Sequence, residues 1–132
     1  MIILDTQALI WLFFDDGILG PGTRRAVDDA WQEDSVAVSA ITFWEIAMLH
    51  AKGRLELLTD FGTWRASLLQ RGLKEIPVDG EIGIRAAMLP AFHGDPADRI
   101  IVATALDDHQ LVTSDGEILR WSGNLRRLDA RK

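Results

Sequence analysis

The chain has 132 residues, a length that buries one core and is too short for two ordinary domains, so we predict a single domain over 1–132. Cysteine is absent, which excludes disulfides, thiolate zinc sites and cysteine nucleophiles and fits a reducing cytosol. The net charge of −6 argues at first sight against nucleic acid, because phosphates attract lysine- and arginine-rich surfaces. We expect a cytoplasmic protein without a membrane role. The apolar start lacks a basic leader and meets Asp5 and Asp15 before it reaches membrane-spanning length.

The first quarter of the chain predicts two strands separated by two helices. Residues 2–4 form a short apolar run that is typical of a buried parallel strand. A helix is predicted from about Thr6 to Asp15, and the glycines and proline of residues 17–22 end it. A second helix is expected over 23–33. Residues 35–39, with small and β-branched side chains, predict the second strand.

The middle of the chain predicts two helices and a third strand. Thr42 and Glu45 have the spacing of a capping box, which indicates a helix that begins there and ends near Gly53. An amphipathic helix is predicted over 60–70. A strand is predicted over 73–78, where the proline at position 77 marks a strand end or a sheet edge.

The remaining pattern continues the alternation of helices and strands. A helix is predicted over 79–89 and a loop over 90–94. Asp95 and Pro96 then begin a helix that reaches residue 107 or 109, with aspartate as cap and proline at the first position. Residues 111–113 predict a fourth strand. This order predicts an α/β fold with a central parallel sheet of four to five strands and helices on both faces.

Four acids occupy places where parallel strands end or the following helices begin. They are Asp5, Glu45, Asp98 and Asp115. Ligands of parallel α/β sheets bind at the carboxyl ends of the strands, so these four side chains are expected to face one edge. Each also has a structural explanation, as a helix cap, a capping-box member or an acid in a first helical turn. Asp95 is sufficiently explained as the cap before Pro96.

A carboxylate cluster of this kind is suited to a hard cation. Mg²⁺ prefers oxygen ligands and keeps several waters, and Mn²⁺ is a possible substitute. Two carboxylates about 4 Å apart repel by roughly 4 kcal/mol at an effective dielectric of 20, so a cation or a shared proton must hold them together. At a phosphodiester, such a metal polarises the phosphoryl oxygen and activates water. The sequence therefore predicts a metal-dependent nuclease.

The motifs resemble those of the PIN-domain ribonucleases, and among them the VapC-type toxins of toxin–antitoxin pairs. The resemblance covers nearly the whole chain, and its segments are ILDTQALIW, SAITFWEIA, FHGDPADRIIVATA and LVTSDGEI. It implies a PIN domain, Mg²⁺-dependent endoribonuclease activity on RNA and a cognate antitoxin. It also implies a homodimer, or a higher toxin–antitoxin assembly.

The resemblance also implies roles for individual residues. Asp5 and Asp98 match the family's first and third acids, the pair usually assigned to Mg²⁺, while Glu45 and Asp115 match the second and fourth. Thr113 or Ser114 matches a hydroxyl position that often precedes the last acid.

Several other side chains leave alternatives open. A phosphate-facing basic rim is conceivable, although a solvated mixed-charge surface is the simpler interpretation. Its members would be Arg24, Arg25, Lys52, Arg54, Arg99, Arg120, Arg126 and Arg127. The three histidines lack paired zinc spacing, and His93 is expected on a surface loop. Trp11 and Trp44 are expected to pack a core or a subunit interface, with base stacking as the alternative. The apolar residues 9–13 suggest a dimer or partner surface.

The sequence leaves two alternative functions open. A haloacid-dehalogenase-like phosphatase also begins with an aspartate after its first strand, but it needs a second aspartate where this chain has Gln7. A catalytically silent PIN-fold binding module has no chemical need for all four acids. The nuclease is therefore the preferred interpretation.

Overall fold

A computed structural model describes residues 1–14, 17–57 and 59–132. Its centre is a five-stranded sheet with the strand order β3-β2-β1-β4-β5, and every pairing is parallel. The predicted α/β class and parallel sheet are confirmed. β1 lies in the middle of the sheet, so its carboxyl end is flanked by those of β2 and β4.

The elements alternate along most of the chain. The strands are β1 (Ile2–Leu4), β2 (Val36–Ser39), β3 (Lys74–Ile76), β4 (Gln110–Thr113) and β5 (Arg126–Asp129). The helices are α1 (Thr6–Phe14), α2 (Pro21–Gln32), α3 (Ile41–Ala51), α4 (Phe61–Gln70), α5 (Gly80–Ala87), α6 (Pro96–Ala105) and α7 (Gly116–Arg120). Within the described residues, no helix has the length and apolarity needed to cross a bilayer.

Both faces of the sheet are covered by helices. Successive residues of a strand point to opposite faces, so the core has two halves. On one face, Leu4 and Val38 pack with buried residues of α1, α2, α3 and α4. On the other face, Ile3 and Leu111 pack with residues of α6 and α7. This double burial explains why β1, β2 and β4 are almost continuously apolar.

Most predicted boundaries agree with the structure to within a few residues. Asp60, Asp79 and Asp95 cap α4, α5 and α6, each by accepting a backbone N–H three residues further on. The predicted end of the first helix, Asp15, lies outside the described residues. Pro77 directly follows β3, which is an edge strand, as its missing N–H predicted.

Neither the short helix α7 nor the charged edge strand β5 was predicted from the sequence. Arg127 holds β5 to the preceding segment by donating to the carbonyls of Ile118 at 2.6 Å, Trp121 at 2.8 Å and Gly123 at 2.9 Å. Its Nε also donates to the carbonyl of Leu125 at 3.0 Å. Arg127 is therefore not part of a phosphate-facing rim, because its guanidinium is occupied by backbone carbonyls.

The apolar run in α1 does not form a partner surface as a whole. Leu9 is 0% exposed and Trp11 8%, and both belong to the core on one face of the sheet. Leu12 and Phe13 are partly buried against the same core. The expectation of a docking surface was wrong for Leu9 and Trp11, because the core buries them. For Leu12 and Phe13, which also line a cavity beside α2, it stays a prediction.

Candidate active site

Asp5 sits at the carboxyl end of the central strand. Its backbone N–H donates to the carbonyl of Val112 at 3.0 Å, which fixes the end of β1 beside β4. Its side-chain Oδ1 accepts the N–H of Ala8 at 2.7 Å and so caps α1. The carboxyl is only 7% exposed. Burial raises the pKa of Asp5 to about 6, against hydrogen bonds with Thr113 and Ala8 that lower it. Asp5 is thus both a helix cap and a carboxyl whose burial disfavours its ionised form.

Asp98 lies in the first turn of α6. Asp95 accepts the backbone N–H of Asp98 at 2.8 Å, as expected for the cap, and this leaves the Asp98 side chain available to the cavity. Gly94 allows the loop that precedes α6 to lie close to Asp98, because a Cβ at position 94 would be only 3.1 Å from the Cβ of Asp98. Burial, and then repulsion from surrounding acids, raises the pKa of Asp98 to about 7. Its position therefore disfavours an uncompensated negative charge.

Glu45 is oriented by a chain of hydroxyl groups. The Thr6 hydroxyl donates to Oε1 of Glu45, so the Thr42 hydroxyl, 3.0 Å from that of Thr6, donates to Thr6. Burial raises the pKa of Glu45, the hydrogen bond from Thr6 lowers it, and the charge of Asp95 raises it. The glutamate is consequently held in one direction, towards the end of β1.

The capping box predicted for Thr42 and Glu45 is wrong. The helix α3 begins at Ile41, and its cap position, Ala40, makes no side-chain cap hydrogen bond. Thr42 is a fully buried residue within the helix and bonds to Thr6 instead. Glu45 is therefore released from a structural role at the helix start, which removes the simplest non-catalytic explanation for it.

Asp115 follows β4 and caps α7. Its Oδ1 accepts the N–H groups of Glu117 at 2.8 Å and Ile118 at 3.2 Å. The hydroxyl of Thr113 accepts the N–H of Asp115 at 3.0 Å and also hydrogen bonds with Asp5. Thr113 thereby links the first acid to the last. Of the two hydroxyl candidates, Thr113 makes this link and Ser114 lines the cavity.

All four candidate acids line one cavity of about 290 Å³. The complete lining is Asp5, Thr6, Gln7, Glu45, Leu49, Asp98, Ser114 and Asp115. The charges of Asp115, Glu45 and Asp5 all raise the pKa of Asp98, after burial and Asp95. The charges of Glu45 and Asp115 likewise raise that of Asp5. Four residues that span most of the chain thus line one cavity at the edge where β1 and β4 end.

The donor set of this cavity suits a hard divalent cation. Its ionisable ligands are carboxylates, and hydroxyl and amide oxygens surround them. Across residues 1–14, 17–57 and 59–132, no three histidine, aspartate or glutamate side chains are close enough to form a ready-made metal site. Uncompensated carboxylates repel one another, and Mg²⁺ needs only one or two of them because waters and phosphate complete its shell. The residues therefore fit Mg²⁺ or Mn²⁺.

Arg99 is not part of a basic rim either. It donates to the carbonyl of Phe92 at 2.6 Å and to those of Ala86 at 2.9 Å and Ala87 at 3.2 Å. These bonds tie the end of α5 and the loop after it to the helix that holds Asp98. Arg99 thus stabilises the loop next to the cavity.

The sequence did not single out Thr6 or Arg131. Thr6 follows Asp5 directly, and a polar residue inside an otherwise apolar helix start was the available signal. Arg131 donates to the carbonyl of Ser114 at 3.2 Å, and its Cζ lies 5.0 Å from the centre of the Trp11 ring. A guanidinium therefore stands beside the cavity at a position that the sequence pattern could not connect to it.

The comparisons with known proteins agree with this fold. The model of the family described as PIN domain matches residues 2–123. The chain is 31% identical to ribonuclease VapC22 of Mycobacterium tuberculosis over 116 residues, which are 86% of each protein. The resemblance inferred from the motifs is confirmed.

Solved structures also share the fold. A toxin–antitoxin complex from Klebsiella pneumoniae matches with a TM-score of 0.64, 22% identity and 98% of each chain covered. VapBC2 from Rickettsia felis, bound to a DNA fragment from its promoter, matches with a TM-score of 0.69, 15% identity, and 98% of this chain and 100% of that one covered. Since the family model spans nearly the whole sequence, the chain belongs to the PIN-domain family.

Proposed function

We propose that this protein is a Mg²⁺-dependent endoribonuclease, the toxin of a toxin–antitoxin pair. One observation supports the activity more than any other: Asp5, Glu45, Asp98 and Asp115 line a single cavity, where burial and mutual repulsion raise the pKa of Asp5 to about 6 and of Asp98 to about 7. A fold gains nothing in stability from such repulsion, so a cation-binding function is the natural explanation.

The proposed roles follow from where each side chain is held. Asp5 and Asp98 bind the cation, since both are partly desolvated and face the same cavity. Glu45 and Asp115 complete the metal or water site. When bound, Mg²⁺ or Mn²⁺ would stabilise negative charge on the scissile phosphate and lower the pKa of a water. Glu45, held by Thr6, accepts a hydrogen bond from the attacking water and so orients it towards phosphorus.

RNA is the proposed substrate, in a single-stranded or looped form. The VapC22 relative is a ribonuclease, which supports RNA over other phosphodiesters. A cavity open at a sheet edge admits an unpaired strand more readily than a duplex, whose phosphates are less able to approach buried carboxylates. The chain's own acidity requires the cation to neutralise the site before phosphate enters.

A cognate antitoxin is the proposed protein partner. Its support is that chains of the same fold have been solved in toxin–antitoxin complexes. A homodimer, or a higher toxin–antitoxin assembly, is also proposed. Ile84 on α5 and Met88, the residue that caps the end of α5, are 70% and 74% exposed, which provides an apolar surface for such contacts. Light scattering of the purified protein, alone and co-expressed with its antitoxin, tests both partners.

The phosphatase alternative has lost its support. The family match is to the PIN domain, and the cavity contains Gln7 where a phosphatase of the haloacid-dehalogenase type has its second aspartate. The silent binding module remains an outcome that the activity assay can return.

Cleavage of a labelled RNA hairpin by the purified protein tests the proposal. We expect cleavage with Mg²⁺ or Mn²⁺, none with EDTA, and a loss of about 100-fold or more in Asp98→Asn, because the metal supplies several kcal/mol to the transition state. The matched control is Asp29→Asn, an exposed aspartate on α2. Cleavage that survives both EDTA and Asp98→Asn would contradict the metal mechanism. Hydrolysis of p-nitrophenyl phosphate without RNA cleavage would revive the phosphatase.

A further inference from the structure

The two tryptophans whose roles the sequence left open have different environments. Trp11 is 8% exposed and belongs to the core, whereas Trp44 is 56% exposed on α3. Trp44 directly precedes Glu45, so its indole stands next to a residue of the carboxylate cavity. A large aromatic side chain exposed at this place is not explained by packing within the chain.

Trp44 belongs to one stripe of α3 that faces a groove. Met48 and Lys52 follow it at intervals of four residues, and residues with this spacing share one face of a helix. All three line a cavity of about 260 Å³, with Pro96 and Ala97 of α6 on its other side. The groove is thus an aromatic and apolar slot with a lysine at one end.

This groove is continuous with the carboxylate cavity. Glu45 and Leu49 line both of them, so a chain bound at the acids would extend directly onto the stripe. Lys52, which caps the end of α3, lines the same groove and provides a positive charge for a phosphate of such a chain. The order along the surface is therefore a cleavage site, an exposed indole and a cation.

We infer that the groove of Trp44, Met48 and Lys52 binds an unpaired base of the RNA next to the scissile phosphate, with the base stacked on Trp44 and a phosphate at Lys52. The inference rests on the proposed function and makes Trp44 a substrate-positioning residue. Stacking on an aromatic ring tolerates every base, because all four present a π-face.

A nucleotide fits this surface better than an apolar protein segment does. An indole combined with a cation is the usual arrangement for single-stranded nucleic acid. An apolar segment would leave Lys52 covered without an acceptor, and would place uncharged atoms against the Asp95 carboxylate that also lines the groove. An exocyclic amino group or imino N–H of a base can instead donate to Asp95.

The test is cleavage kinetics of the full chain with Mg²⁺ on a short single-stranded RNA that has one cleavage site. The substrates are this RNA and versions with one abasic nucleotide on either side of the cleaved bond. The variants are Trp44→Ala and Trp44→Phe, with Val78→Ala as an exposed apolar control outside the groove. Because Trp44 is mostly exposed, its variants are expected to fold, and thermal unfolding checks that they do.

We expect Trp44→Ala to raise KM by about 5- to 100-fold with a smaller change in kcat, Trp44→Phe to retain most of the affinity, and Val78→Ala to match the wild type. One of the two abasic substitutions should raise the KM of the wild type by a similar factor and leave the KM of Trp44→Ala unchanged. Equal KM values for wild type and Trp44→Ala would overturn the inference, with a protein segment as the groove's remaining occupant.

The same samples separate this inference from the proposed function. If the wild type cleaves RNA but Trp44→Ala is unaffected, the nuclease stands and the base site fails. If the wild type does not cleave, the fluorescence anisotropy of the labelled RNA in Mg²⁺ measures whether the groove still binds RNA. Binding that depends on both Trp44 and the flanking base supports the groove while the nuclease fails, and binding that depends on neither overturns both.

Discussion

We expect Asp98→Asn to stabilise the metal-free protein, although it removes a proposed ligand. The Asp98 carboxyl is partly buried and is surrounded by other acids, so its pKa rises from the ordinary 3.8 to about 7. At 1.36 kcal/mol per pKa unit, this difference corresponds to about 4 kcal/mol against the ionised native state. Solvent screening at a partly exposed group reduces the expected gain in the free energy of unfolding to about 1–2 kcal/mol.

The direction of the pKa change fixes the pH dependence. A carboxyl whose pKa is higher in the folded than in the unfolded state destabilises the fold most above its folded pKa. The penalty disappears below its unfolded pKa, because both states are then protonated. The advantage of Asp98→Asn should therefore be largest near pH 8 and should fade as the pH approaches about 4.

Urea unfolding in EDTA at pH 8 and at pH 4.5 measures this difference, with Asp29→Asn as the control for removal of a surface charge. Adding Mg²⁺ at pH 8 should stabilise the wild type and leave Asp98→Asn nearly unchanged, because a ligand stabilises only the state that binds it. An Asp98→Asn variant that is no more stable than the wild type at pH 8 in EDTA would refute the electrostatic reasoning.

Three further substitutions test other parts of the account. Thr6→Val should lower the free energy of unfolding by about 1–3 kcal/mol, because it leaves the buried Thr42 hydroxyl without its partner. It should also lower the rate of RNA cleavage, because Glu45 loses the hydroxyl that orients it. A loss of stability with unchanged cleavage would show that the orientation of Glu45 is unimportant. Arg127→Met should reduce the free energy of unfolding by about 2–4 kcal/mol in urea titrations, because several carbonyls lose their charged donor. Arg131→Met should weaken RNA binding and lower the slope of log K against log salt by about 1, and an unchanged slope would place this guanidinium outside the phosphate path.

The elements with clear local signals were predictable from the sequence. Aspartates before Thr63, Ile82 and Asp98 act as the caps that their spacing indicated, and Pro77 ends an edge strand. The strand β5 gave no such signal, because three of its four residues are charged and it pairs with β4 alone. The guanidinium of Arg127 holds this strand by donating to backbone carbonyls, and local sequence does not encode these tertiary contacts.

The candidate site was predictable in position but not in detail. Strand ends located Asp5 and Asp115, and a helix start located Asp98, so their common cavity follows from the parallel topology. The spacing of Thr42 and Glu45 was misleading, since the helix begins earlier and both side chains serve other contacts. The hydroxyl chain through Thr6 joins residues far apart in sequence, so only the folded arrangement reveals it.

Binding of Mn²⁺ to the purified protein, followed by electron paramagnetic resonance, tests the central claim most directly. The wild type and Asp29→Asn should bind the ion, while Asp5→Asn and Asp98→Asn should bind it about tenfold or more weakly, because each loses a carboxylate from the cavity. Equal affinity in all four proteins would contradict a metal site at these acids.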